Sequence, residues 1–204
     1  MLKLPKIRHE LKAHAPFTLF GAFTGMIMMV LFRDLPHHTA HHLFYFFHPL
    51  HICLSALVTA SLYKNYLVKE QSEWKKFLKV LIVGYVGSVL IGTLSDSLIP
   101  FWGETLLKME HRHLHLGVIE KWWLINPLVF ITLLFAYFKP TTKFPHAGHV
   151  LISTWASLFH MLMAVGSREA IPYLGIFVFL FLAVWVPCCF SDIVFPMLLV
   201  REEE

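Results

Sequence analysis

Long apolar stretches separated by short polar ones dominate this chain. Uncharged runs can be placed at 16–32, 43–63, 78–100, 122–138, 147–166 and 171–200. Each is roughly the length of helix that crosses a hydrocarbon core of about 30 Å. The pattern predicts an all-α, polytopic membrane protein with six transmembrane helices.

The polar exceptions inside these runs repeat. HPLHICLS (His48 to Ser55) returns as HAGHVLIS (His146 to Ser153), and SDSLIP (Ser95 to Pro100) returns as SDIVFP (Ser191 to Pro196). Ala15-Pro16-Phe17 at the start of the first run is echoed by Asn126-Pro127-Leu128 in the fourth. Three echoes in one order predict two three-helix repeats, 1–105 and 106–204, forming one membrane domain. Because each repeat has an odd number of spans, the second copy starts on the opposite side of the membrane, and the repeats are inverted. His48 and His51 are then expected near the outer face and His146 and His149 near the inner one. Asp96 and Asp192 follow their own halves. On this reading the two HxxH pairs are two ends of a path and do not form one four-histidine centre.

Composition agrees with a membrane protein. Of 204 residues, 57% are hydrophobic and 15% charged, and the mean hydropathy is +0.63, far from an ordinary soluble domain. The first apolar run ends at Arg33-Asp34 without a small-residue cleavage site, so it is expected to stay in the mature protein. Cys53, Cys188 and Cys189 all fall inside predicted spans and suggest no disulfide framework.

Twelve of the 17 Lys and Arg fall on one side of the predicted spans: Lys3, Lys6, Arg8, Lys12, Lys64, Lys69, Lys75, Lys76, Lys79, Lys139, Lys143 and Arg201. Arg33, Lys108, Arg112, Lys121 and Arg168 fall on the other. The positive-inside rule then places both termini in the cytoplasm, in a cell or plasma membrane. The net charge of +4 belongs mainly to this topology. Nucleic acid is not an expected partner, since a basic, aromatic platform needs an exposed soluble surface. Membrane lipid is the expected surrounding, and homo-oligomerisation is left open.

The candidate chemistry is metal binding. Two imidazoles three residues apart share a helix face with a hydroxyl four residues further on, and an aspartate within a neighbouring span completes an open ligand set. A carboxylate inside a span costs at least a few kcal/mol, about 2.5–3.5 on insertion scales, and usually faces a cavity, a partner or an ion. The metal candidates are His48, His51, Asp96, His146, His149 and Asp192, with Ser55, Ser153, His160 and Glu104 supporting them. His146, His149, Ser153, Ser157 and His160 make one continuous stripe at helical spacing. Imidazole and carboxylate suit Zn, Ni, Co, Fe(II) and Mn. The leading expectation is a permease that carries such a cation, its substrate, by alternating access between outer and inner sites. Gly21 and Gly25 are read as helix packing. His37, His38, His41, His42, His111, His113 and His115 populate the predicted outer loops and could gather cations.

Two other classes compete. His38, His41 and His42 spell HxxHH and His111 with His115 spells HxxxH, boxes similar to those of membrane di-iron oxygenases such as fatty-acid desaturases. In that family the boxes converge on the cytoplasmic side, whereas here two are predicted outside and HAGH inside. A b-type haem protein needs one His from each of two facing spans at one depth, which HxxH pairs on single helices do not supply. Hydrogenase- and urease-linked nickel permeases share the size and a His-Pro, yet the Asp-His that follows theirs is absent after His48-Pro49, and no family is assigned.

Overall fold

The computed structural model describes residues 4–67, 72–141, 143–166, 172–190, 195 and 199. At 4–11, 13–14, 66, 143–147 and 189 only the backbone is described. All regular structure among these residues is helical: α1 (Leu4–Leu31), α2 (His37–Tyr66), α3 (Glu73–Thr93), α4 (Ile99–Leu106), α5 (Gly117–Glu120), α6 (Trp122–Phe138), α7 (Lys143–Met163) and α8 (Tyr173–Cys189).

The helices occupy the predicted apolar runs, with different ends. α6 matches its run, but α2 begins at His37, six residues before the predicted 43. The histidines of PHHTAHH therefore form its first turns rather than a loop. Helix α1 likewise begins at Leu4, with Pro16 inside it. Among the described residues two stretches, His37–Asn65 and Glu73–Leu106, are long and apolar enough to cross a membrane, while Ala15–Leu31 within α1, Trp122–Phe138 and Tyr173–Cys188 are shorter apolar segments.

The second long stretch is interrupted at SDSLIP. Leu94–Leu98 is a single π-helical turn, in which the Ile99 N–H bonds to the Leu94 carbonyl five residues back. Pro100 explains it: in a regular α-helix its ring would collide with the carbonyl of Asp96, four residues earlier, and its nitrogen has no hydrogen to give. Widening by one residue relieves both, and such π-bulges often accompany functional sites. The helical course continues through Pro100 and Gly103 to Leu106.

Packing pairs the helices in a regular way. α2 and α7 share the most extensive contact among the described residues, α1 lies against α7 and α8, and α6 lies against α2 and α3. Close approach needs small residues. A methyl group on Gly21 would stand 2.8 Å from Thr154 Oγ1 and one on Gly25 3.3 Å from Thr154 Cγ2, which confirms both as packing positions.

Many large apolar side chains lie on the outside, and a polar cluster lies within an otherwise apolar interior. Phe17, Phe20, Phe23, Leu90, Ile131 and Leu174 are among the exposed ones. His48, His51, Ser55, Ser95, Asp96, Glu104, His149, Ser153, Ser157 and His160 are all buried.

Candidate metal centre

Asp96, aimed inward from the π-helical turn, organises the interior. Its Oδ2 accepts from His48 Nδ1 at 2.9 Å and from His51 Nδ1 at 2.7 Å. Its Oδ1 accepts from Ser153 Oγ at 2.9 Å, and the same hydroxyl lies 2.7 Å from Ser95 Oγ. Asp96 and His48 are completely buried. A buried carboxylate with three hydrogen-bonding neighbours is compensated in the way such a group requires.

These bonds fix the tautomer of each imidazole. When Nδ1 carries the proton given to Asp96, Nε2 keeps its lone pair. Metal-ligating histidines are commonly held this way, by a carboxylate on the far ring nitrogen. His51 Nε2 lies 3.8 Å from Cys188 Sγ, and the rings of His51 and His149 stack at 5.8 Å with 9° between their planes. One donor atom from each of His51, His149 and Cys188 lies within 4.8 Å of the others. Around a tetrahedral ion with bonds of about 2.0–2.3 Å, ligand atoms stand roughly 3.3–3.8 Å apart. A contraction of about an ångström would close this set on an ion.

Bringing His51 and His149 together corrects the expectation that the two HxxH motifs sit at opposite faces. The error lies in the helix start. With α2 beginning at His37, His51 is fourteen residues in, about 21 Å along at 1.5 Å per residue, and it meets α7 where His149 lies. The last histidines of the two motifs meet in one place. Asp96, expected as a ligand, has its oxygens engaged by two imidazoles and a hydroxyl, a place from which it would orient ligands. Cys188 supplies the third of the converging donor atoms. The signal available for it was its place three residues before the Ser-Asp repeat.

The remaining candidates divide. Ser153 supports Asp96, and Ser157 Oγ donates to the Ser95 carbonyl at 3.2 Å. His160 Nδ1 bonds to Glu104 Oε1 at 2.7 Å in a second buried imidazole–carboxylate pair. The α7 stripe thus lies along the π-turn and α4. Ser55 is buried one turn beyond His51. The side chain of His146 and all of Asp192 lie outside the described residues.

His48 has its own surroundings. Phe44 stacks on its ring at 5.1 Å, and a methyl group on Gly117 would stand 2.7 Å from its Nε2. That Nε2 is buried and has no hydrogen-bond partner among the described residues.

Toward one end of the bundle the polar interior continues. The backbone N–H of His115 donates to His160 Nε2 at 3.4 Å, and His115 Nδ1 lies 3.4 Å from Glu120 Oε2. Glu120 also accepts from the Tyr45 hydroxyl and, at 3.0 Å, from the Leu116 N–H. Burial pushes the His115 imidazole below its ordinary pKa; the hydrogen bond to Glu120 works against this and nearby His160 adds to it. For Glu120 burial pushes upward, but the bonds from Tyr45 and His115 outweigh it and hold the carboxyl below the usual range.

The HxxHH and HxxxH boxes do meet at this end, through His41 and His115, whose rings are 5.5 Å apart, while His149 belongs to the deeper centre. Axial haem ligands direct their nitrogens at an iron lying between them, an arrangement unlike the flat stack of His51 on His149. No protein-family model, curated protein or solved structure matches this chain.

Proposed function

We propose that the protein is a membrane permease for a divalent transition-metal cation, and that the ion, its substrate, is held at His51, His149 and Cys188. The convergence of these three donor atoms, with His51 braced from behind by Asp96, carries the reading. A membrane setting is supported by the two long apolar stretches, by the apolar exterior and by the buried polar interior. Ionisable groups inside a membrane protein face its interior and mark ion pathways.

The corrected geometry changes the mechanism expected of an inverted repeat. Exchanging the halves equates α1 with α6, α2 with α7 and α3 with α8. It then turns the contacts of α1 with α7 and α8 into those of α6 with α2 and α3, which are the contacts found. His51 and His149 are equivalent under this exchange and meet where α2 crosses α7. Rocking of one half against the other about that crossing would open a single central site to either side in turn. The charge asymmetry supports cytoplasmic termini; with that orientation the histidine-rich end faces outward and uptake is the direction it serves. A thiol with two imidazoles favours Zn, Co, Ni or Fe(II) over Mn.

A second reading uses the same atoms. Cys188, His51 and Asp96 are ordered as nucleophile, base and orienting acid, the arrangement of thiol acyl transfer. His149 favours the metal, because a nucleophile needs one base and here two imidazoles converge on the thiol.

The test is flux of Zn, Mn, Fe, Co and Ni into proteoliposomes, beside elemental analysis of the detergent-purified protein. Saturable uptake that Cys188→Ser and His149→Ala abolish is the expected result. Flux no greater than in empty liposomes, with no copurifying metal, would sink the permease. Turnover of a thioester substrate by metal-free protein would favour the second reading.

A further inference from the structure

The outward-facing end carries a second constellation. His41 comes from the first turns of α2, His115 from the segment between α4 and α5, and Glu120 from the end of α5, so three separate parts of the chain meet. One donor atom from each lies within 4.8 Å of the others. The ring of His115 lies 5.7 Å from that of His160, which ties the constellation to the buried Glu104 pair.

We propose that His41, His115 and Glu120 form a second divalent-metal site, a sulfur-free one at the mouth of the bundle. Three features favour a ligand set over a solvated cluster. His115 Nε2 is buried and lacks a hydrogen-bond partner among the described residues, so with Nδ1 protonated toward Glu120 its lone pair is out of water with nothing donating to it. Glu120 is held in place by Tyr45 and by the Leu116 N–H, which lowers the ordering cost of capturing an ion. Lys121 Nζ lies over the Tyr45 ring, 5.4 Å from its centre, so this neighbouring cation has its own contact. Imidazole and carboxylate without sulfur admit the harder Mn and Fe(II) beside Zn, with affinity still rising in that order, so this site takes a broader range of cations than the deeper one.

The site extends the permease reading, but its binding does not depend on transport. Co(II) separates the two, because only the deeper site has a thiolate to give a near-ultraviolet charge-transfer band. The full-length, detergent-purified protein is titrated with Co(II) and followed by absorbance and elemental analysis, beside Cys188→Ser and the double variant His115→Ala with Glu120→Gln.

A wild-type protein that binds Co(II) beyond the thiolate band, with the excess lost in the double variant and kept in Cys188→Ser, supports the second site. Excess binding that survives in the double variant overturns it, since other histidines would then be the ligands. A thiolate band with no excess also overturns it and leaves the deeper site standing. Binding that the double variant abolishes, with no thiolate band in any protein, supports the mouth site and removes the deeper one. His38→Ala, on a histidine whose Nε2 bonds to His42 Nε2 at 2.8 Å, controls for loosely held metal and is expected to leave the excess unchanged.

Discussion

The deep centre and the mouth cluster each pair two imidazoles with a carboxylate, and only the deep one adds sulfur; their carboxylates do different work. In the deep centre Asp96 sits behind the imidazoles and takes both Nδ1 protons on one oxygen, leaving sulfur and nitrogen to face an ion. At the mouth Glu120 is itself among the converging donors. Depth accounts for the contrast. Asp96 is fully buried, where a carboxylate must be surrounded by donors that are always present. Glu120 is 39% exposed along its side chain, so water can replace a protein partner that it gives up to an ion. A buried carboxylate is committed to the protein, and a half-exposed one is free to exchange partners.

The harshest way to break that contrast is Asp96→Ala. His48 and His51 lose their common acceptor, and loss of such a brace typically weakens metal binding by about 10–100-fold. The thiolate-to-Co(II) band should weaken accordingly, while binding at the mouth is unchanged. Equal losses at both places would mean that Asp96 holds the whole bundle together and has no special relation to the deep centre.

Gly117 lies between the two regions, on the short helix that carries Glu120 and against the ring of His48. Alanine there must displace one or the other, and overpacking of this kind costs about 1–3 kcal/mol. A lowered melting temperature in detergent, with both Co(II) signals altered, is the expected outcome. A variant of unchanged stability would show that α5 rides loosely over His48.

Glu104 tests the connection from inside. Glu104→Ala strands His160 Nδ1, a buried donor, at a cost of about 1–3 kcal/mol, whereas Glu104→Gln keeps an acceptor and should lose less. Both Co(II) signals should survive in Glu104→Gln while proteoliposome flux falls. Unaltered flux would remove the Glu104–His160 pair from the path.

Much of this was legible in the sequence, and the illegible parts have physical causes. Apolar runs gave the helices, and the α7 stripe correctly marked the face turned to the interior, because burying histidine and serine without partners is costly wherever they lie. Helix ends were harder. PHHTAHH is polar and reads as loop, but its histidines pack edge to face against one another and against His115, and that contact is invisible along the chain. With six more residues of helix before it, His51 lies at the level of His149 rather than at the opposite end of the bundle. The π-turn was unreadable for a related reason: Pro100 announces a disruption, but whether a helix breaks or widens depends on what the displaced Asp96 can reach.

Ser153 supplies the mildest test. It gives its hydrogen to Asp96 Oδ1 at 2.9 Å and lies 2.7 Å from the Ser95 hydroxyl, so Ser153→Ala removes one bond to a carboxylate that keeps both imidazoles. A hydrogen bond to a charged group contributes about 1.5–3 kcal/mol in general, but Ser95 stands close enough to turn toward the vacated oxygen and recover part of that. The expected loss is therefore below that range, with the thiolate band of Co(II) retained and only slightly shifted. Ser95→Ala with Ser153→Ala should then cost more than the two single losses together, since each hydroxyl can stand in for the other. Additive losses would mean that neither replaces the other, and Asp96 would be positioned by its histidines alone.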